Sequence, residues 1–301
     1  MKVLLITRER MTLSVNTVID RLGELCDLTV IRFSGEQVKK IRKSLKEIDH
    51  SGYDCVVLNL PFRRWHNKPR LIKRFSKLAV YEFDTNRNFL KGDKFQNKYA
   101  KFCKKLNHIK LICSGFYNTS RFNQLGVDAS FVSKGYNNKL LTNLNVTRDI
   151  ELGFIGRIDD DLYIERKALL KEIQSEFDLK LLRTETETEY LNTLNKIKIF
   201  VSADIGYNEY MAKNFEAMGC GCMLLCKEQG HGEEEALGLV DMHNVALYSD
   251  AEDAKEKIRT LLQDSALVET IAKNGQKLAE TTLSFEKKAE EIFQVLKDKY
   301  S

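Results

Sequence analysis

The sequence predicts two α/β units in series, each a doubly wound, mostly parallel sheet covered by helices. Three observations carry this. Short β-rich runs alternate with amphipathic stretches from one end of the chain to the other. The alternation halts once, in the polar segment 137–149, and then restarts. A chain of 301 residues also suits two units of roughly 150 each.

In order, the front half reads as strands at 2–7, 27–33, 53–61, 78–84, 110–115 and 129–135. Between them lie helices at 14–26 and 35–49, a basic helix near 67–77, a lysine-rich one near 95–106 and a short one at 118–126. In the helix at 35–49, Val38, Ile41, Leu45 and Ile48 recur at helical spacing. The back half repeats the pattern, with strands at 151–157, 178–184, 197–204, 222–226 and 246–250. Helices at 162–176, before 197 and near 209–218 separate these strands, and helices 251–263, 265–280 and 285–299 finish the chain. The expected boundaries are a first unit at 1–137, a second at 150–283 and a closing helix at 284–301 that crosses back onto the first unit.

Composition bounds the class. At 43% hydrophobic and 30% charged, the chain has material for real cores and is not a disordered or fibrous sequence. The apolar run Val3–Ile6 has four residues, short of the roughly 7–15 of a secretory leader. No run approaches the ~18 residues of a membrane span. Seven cysteines, an odd number set among apolar neighbours, read as reduced core residues. The expectation is a cytoplasmic protein.

In doubly wound sheets ligands bind beyond the carboxyl ends of the strands. Gly156-Arg157 stands at such an end: the glycine lets a backbone approach a phosphate, and the arginine supplies charge. Equally, a glycine there can be a plain turn. Arg183 closes the strand at 178–184 in the same way. The segment Asn208–Glu228 carries more information. A helix expected to begin near Glu209 follows the polar loop Gly206-Tyr207-Asn208, so its amino end faces the same crevice and favours an anion. Lys213 can reach a phosphate. Glu216 interrupts an apolar run (Phe215, Ala217, Met218), and its two oxygens suit the paired hydroxyls of a ribose. The plain alternative makes it a solvated surface acid.

Two acidic features remain. Asp159-Asp160-Asp161 invites a divalent ion on a diphosphate, but a loop in which Asp161 caps the next helix is the preferred reading, so no metal is expected. Asp84 ends the strand 78–84 and is the candidate catalytic acid or base, with a turn-capping role as its alternative.

The order strand, Gly-Arg, helix, Phe-Glu-Ala-Met-Gly-Cys-Gly, strand resembles the carboxy-terminal domain of two-domain GT-B glycosyltransferases. More narrowly, Lys213-Asn214-Phe215-Glu216-Ala217-Met218-Gly219-Cys220-Gly221 is similar to the run basic-x-Phe-Glu-Ala-x-x-Cys-Gly of the group 1 branch that includes spore-maturation-type enzymes. The resemblance covers most of 150–283 and implies a GT-B fold with Glu216 on the ribose of a nucleotide-sugar donor. It implies a donor site of Gly156, Arg157, Arg183, Tyr207, Asn208, Glu209, Lys213, Asn214, Phe215 and Glu216, without a cofactor. This sequence departs from the commoner pattern in having Asn208 where many relatives have a second Glu, and acids rather than a lysine after Gly-Arg.

Charge separates the two halves. Residues 1–137 hold 27 basic and 12 acidic residues, a net +15, against −10 for the remainder. A basic front half suits a glycan or lipid-linked acceptor and an anionic membrane surface, through residues such as Arg63, Arg64, Lys73 and Arg74. The expected activity is sugar transfer in cell-surface glycan or glycolipid assembly. Two other readings stay open: a nucleotide-sugar epimerase or hydrolase on the same scaffold, and a basic nucleic-acid-binding protein.

Overall fold

The computed structural model describes residues 1–9, 13–160, 163–203 and 206–301. The chain divides into two compact units, Met1–Lys134 with Phe285–Ser301, and Gly135–Ser284.

In the first unit the strands are β1 (Lys2–Arg8), β2 (Asp27–Phe33), β3 (Cys55–Leu58), β4 (Leu78–Glu82), β5 (Ile109–Cys113) and β6 (Ala129–Phe131). All pair in parallel, in the order β2-β1-β3-β4-β5-β6. The middle of β1 and all of β3 are buried, as strands of a sheet covered on both faces must be. Alternation along each strand sends Leu4, Ile6, Val56, Leu58 and Val80 into one core. Val3, Leu5, Val57 and Ala79 go into the other, which the final helix, Phe285–Tyr300, covers with Phe285, Ala289, Ile292 and Leu296. That helix packs on α1 (Leu13–Leu25), and Arg21 of α1 meets its Glu290 at 2.7 Å.

The helix expected at 35–49 is two short ones, α2 (Gly35–Lys39) and α3 (Ile41–Lys46). Ser34 and Gln37 form a capping box that starts α2. The Ser44 hydroxyl then donates to the Gln37 carbonyl at 3.0 Å, the acceptor a continuous helix would use for the N–H of Ile41. The basic helix expected at 67–77 is a single turn, α4 (Pro69–Ile72), which starts at its proline because proline is tolerated only at the start of a helix. Helices α5 (Lys98–Lys105) and α6 (Phe116–Gln124) complete the unit.

The second unit has β7 (Ile150–Ile155), β8 (Leu179–Leu182), β9 (Ile197–Ser202), β10 (Met223–Lys227) and β11 (Ala246–Tyr248), parallel in the order β11-β10-β9-β7-β8. Its helices are α7 (Ile164–Gln174), α8 (Glu187–Lys196), α9 (Ala212–Gly219), α10 (Glu233–Leu237), α11 (Ala251–Gln263) and α12 (Ser265–Thr282). The short α10, between glycines with φ of 83° and 71°, was not anticipated. The Gly219-Cys220-Gly221 turn between α9 and β10 has two separate needs. A Cβ at Gly219 would lie 2.2 Å from the Tyr136 ring, and Gly221 takes a φ of +79° that favours glycine. Arg148 ties the turn down, donating to the carbonyls of Cys220 (2.6 Å) and Ile197 (2.7 Å).

Candidate functional site

In the second unit the chain runs from β7 outward to β8, then returns to place β9 on the other side of β7. That reversal is where an open α/β sheet leaves a crevice at its strand ends. A cavity of about 400 Å³ lies there, lined by Arg157, Arg183, Lys213 and Glu216, together with Tyr163, Arg166, Met211 and Ala212. Arg157 follows β7, Arg183 follows β8, and Lys213 and Glu216 stand on α9. Four of the residues singled out in the sequence thus share one hollow.

The chemistry of that hollow is set by one acid among several cations. The Lys213 ammonium donates to the Ile155 carbonyl at 2.5 Å, directly over Gly156. A Cβ at Gly156 would stand 2.8 Å from Lys213 Nζ and 2.9 Å from the Phe154 ring, so this glycine makes room for the lysine. Loss of solvation lowers the Lys213 ammonium to about 8, with Glu216 opposing the shift and Arg166 and Arg183 adding to it. Burial raises the Glu216 carboxyl above the usual range, against a hydrogen bond from Tyr190 and the charge of Lys213. A carboxylate that only accepts hydrogen bonds, ringed by cations, can take ligand hydroxyls on the acid and phosphate oxygens on the cations.

The other candidates lie elsewhere. The helix starts at Ala212, three residues later than expected, which leaves Glu209 in the preceding loop. Glu209 is 2% exposed and borders a much smaller hollow with Ser202 and Asn214, whose Oδ1 accepts from the Ser202 hydroxyl at 2.6 Å. Tyr207 and Asn208 sit in that loop and line neither hollow, Asn208 with a φ of 51°. Phe215 is buried in the core. Asp161, expected to cap α7, lies outside the described residues, while Asp159 pairs with Lys167 at 3.1 Å. Among the described residues no His, Cys, Asp and Glu cluster could hold a metal ion.

Sequence reasoning missed Arg166. It is 5% exposed, and it donates to the carbonyls of Ala203 (3.0 Å) and Arg157 (3.2 Å) and to Met211 Sδ (3.0 Å). One guanidinium therefore ties the loop after β7, the end of β9 and the start of α9 together. The signal was present: Arg166, Leu170 and Ile173 share the buried face of α7 at i, i+4 and i+7.

The first unit holds a second cavity, about 410 Å³, at the ends of β1, β3 and β4. Asp84 lines it but is exposed, at the start of the 3-10 turn Thr85–Asn88 and without a side-chain capping bond. Two residues earlier, Glu82 also lines it, and loss of solvation followed by the nearby Asp84 charge raises its carboxyl to about 7.

Comparison with known proteins sets this geometry in context. Residues 167–294 match the family model described as Glycosyl transferase-like. No curated protein sequence matches the chain. Among solved structures, sucrose-phosphate synthase from Thermosynechococcus elongatus is similar at a TM-score of 0.69 and 13% identity, over 99% of this chain and 98% of that one. Anabaena HepE in complex with UDP is similar at 0.67 and 15%, over 99% and 100%. T4 phage BGT in complex with UDP-glucose is similar at 0.57 and 10%, over 98% and 99%. The chain therefore combines a two-unit GT-B fold with a glycosyl transferase-like domain over residues 167–294, the make-up of a glycosyltransferase.

Proposed function

We propose that this chain moves a sugar from a nucleotide-sugar donor to an acceptor hydroxyl, and that the cavity of the second unit holds the donor. The observation that carries the reading is Glu216, the one carboxylate residue lining a hollow that Arg157, Arg183 and Lys213 also line. Glu216 accepts from the ribose hydroxyls. The cations take the diphosphate and stabilise the charge that develops on it as the bond to the sugar breaks. Arg166 positions the elements that carry them. The complexes of HepE with UDP and of T4 phage BGT with UDP-glucose support a uridine nucleotide as the donor.

The finer reading is an enzyme of the spore-maturation-like branch that works in cell-surface glycan or glycolipid assembly. The first unit holds the acceptor, and its basic surface rests on an anionic membrane. No helix of the described residues is long and apolar enough to cross a membrane, so attachment is peripheral in this reading. A thermal-shift panel of nucleotide sugars tests the donor assignment. A ligand present at one hundred times its Kd adds about 2.7 kcal/mol to the stability of the native state. A rise in Tm with a uridine diphosphate sugar is expected, and a panel in which no nucleotide moves the Tm contradicts it.

A further inference from the structure

We propose that the first unit carries a discrete site for a compound with several phosphate groups, formed by two adjoining hollows between α3 and the segment 62–74. The site belongs to the first unit alone and does not depend on the donor reading of the second. It goes beyond a basic face laid on a membrane, because it names one place and one stoichiometry.

The hollows measure about 740 Å³ each. Arg42, Lys46 and Lys68 line both, Arg70 and Arg74 border the first, and Arg63 and Arg64 border the second. The walls are fixed by the protein itself. On one side Arg42 and Lys46 stand four residues apart on α3 and therefore share a face. On the other, Phe62 and Trp65 are buried, and Trp65 Nε1 donates to the Leu60 carbonyl at 2.9 Å. That anchors the 3-10 turn that carries Arg63 and Arg64. Arg74 joins the two walls where α3 ends with its last carbonyls open, donating to Leu45, Lys46 and Ile48 at 2.9, 2.7 and 3.3 Å.

The charge between these walls is unbalanced. Among the described residues Glu47 is the one acid that lines either hollow, and it lies 3.9 Å from Lys43. Lys40 is taken by Glu36 at 2.5 Å. Arg42, Lys46, Arg63, Arg64, Lys68 and Arg70 form no ion pair among the described residues. Lys68 donates to the Arg64 carbonyl at 3.0 Å and to Asn67 Oδ1 at 2.7 Å, so it is placed without being neutralised. The Nε of Arg64 is buried and has no hydrogen-bond partner. Leaving such a donor unpaired is costly.

Like charges at i and i+4 oppose each other, and concave walls of low dielectric focus the field they create. A flat bilayer meets the rim of a hollow, whereas a compact multiply phosphorylated group enters it. Each phosphate monoester brings about −1.5 to −2 charge and three acceptor oxygens, against one charge and two oxygens for a carboxylate. Three such groups balance most of the unpaired cations, and guanidinium forks match their oxygens in pairs. The same chemistry occurs on a soluble polyphosphorylated compound and on a phosphorylated lipid headgroup.

Calorimetry of the full-length chain with inositol hexakisphosphate is the first arm of the test. One molecule is expected to bind per chain, at least about tenfold more tightly than inorganic phosphate, with an affinity that falls as salt rises. Arg42→Gln with Lys46→Gln, both exposed residues, removes charge from both hollows and weakens binding by about tenfold or more. Lys104→Gln with Lys105→Gln removes the same charge from α5, outside the hollows, and leaves affinity within about twofold. The second arm uses vesicles of matched charge, with phosphatidylserine or phosphatidylinositol bisphosphate in neutral lipid. A preference for the bisphosphate that the Arg42 and Lys46 substitutions abolish assigns the site to a headgroup. Equal binding to both vesicles, with hexakisphosphate still bound, assigns it to a soluble compound. Hexakisphosphate that does not bind, or that binds the Arg42 and Lys46 variant no more weakly than the Lys104 and Lys105 variant, overturns the proposal. UDP-glucose affinity, measured alongside, is expected to be the same in all three proteins, and wild-type protein that binds no nucleotide sugar overturns the donor reading alone.

Discussion

Tyr190 of α8 donates its hydroxyl to Glu216 Oε2 of α9 at 2.6 Å. One oxygen of the carboxylate is thus fixed by the protein, which leaves Oε1 for a ligand. The same bond favours the charged form of Glu216, against a burial that raises its pKa.

Replacing Tyr190 with Phe removes that bond and raises the Glu216 carboxyl further. A protonated acid accepts fewer hydrogen bonds, so the loss is larger at low pH. UDP-glucose affinity is expected to fall by about 1–2 kcal/mol, more at pH 6 than at pH 8. Titrations at the two pH values check this, and equal affinities in both proteins at both values contradict it.

Arg166 gives a stability prediction. Arg166→Met leaves the carbonyls of Ala203 and Arg157 without their charged donor. Urea unfolding is expected to show a loss of about 2–4 kcal/mol, on the scale of hydrogen bonds to charged groups. Donor affinity falls as well, because the loop after β7 and the start of α9 lose their common tie. A variant with unchanged stability and affinity would make the contact incidental.

The fold was legible because hydrophobic period separates strand from helix, and the runs at 27–33, 197–204 and 251–263 keep theirs cleanly. The two broken helices were not, since a hydroxyl at Ser44 and a proline at 69 act locally and leave the apolar spacing intact. In the candidate site, Glu216 stood out as an acid in an apolar run, and Arg157, Arg183 and Lys213 as cations at strand ends or an early helical turn. Glu82 was passed over because it ends a strand two residues before a more obvious acid. Arg166 was passed over because only the helix at 162–176 was read there, and none of its residues was singled out. Period two along β4 marked Glu82 and helical spacing along α7 marked Arg166, and only the structure showed what each faces.

Lys213 couples donor binding to protons. Its ammonium, lowered to about 8, is partly deprotonated at pH 8.5, and a diphosphate drawn beside it restores the charged form. Binding of UDP-glucose at pH 8.5 is expected to take up a fraction of a proton, and much less at pH 6.5. Calorimetry in buffers of different ionisation enthalpy measures it. A binding heat independent of buffer at pH 8.5 contradicts the placement of the diphosphate beside Lys213.

The basic surface of the first unit predicts salt-reversible binding to anionic vesicles. Two adjoining hollows share Arg42, Lys46 and Lys68, and Arg63 and Arg64 border one of them. Arg74 is less available than its sequence position suggests, since it donates to the carbonyls of Leu45, Lys46 and Ile48. Each cation near the bilayer adds about 1 kcal/mol, and screening removes much of it. Replacing Arg63 and Arg64 with Ala should cut co-sedimentation at low salt. Equal recovery in the supernatant with neutral and anionic lipid would leave an acidic soluble acceptor as the reason for the charge.

The most direct test of the account is calorimetry of UDP-glucose binding to wild-type and Glu216→Gln protein. The substitution keeps size and shape but removes the charge that strengthens hydrogen bonds to ribose hydroxyls, each on the order of 1.5–3 kcal/mol before compensation. The account predicts that wild-type protein binds, that the variant binds at least about tenfold more weakly, and that both unfold at the same denaturant midpoint. Equal affinity in the two proteins would contradict it, and would make Glu216 a partner for Tyr190 and nothing more.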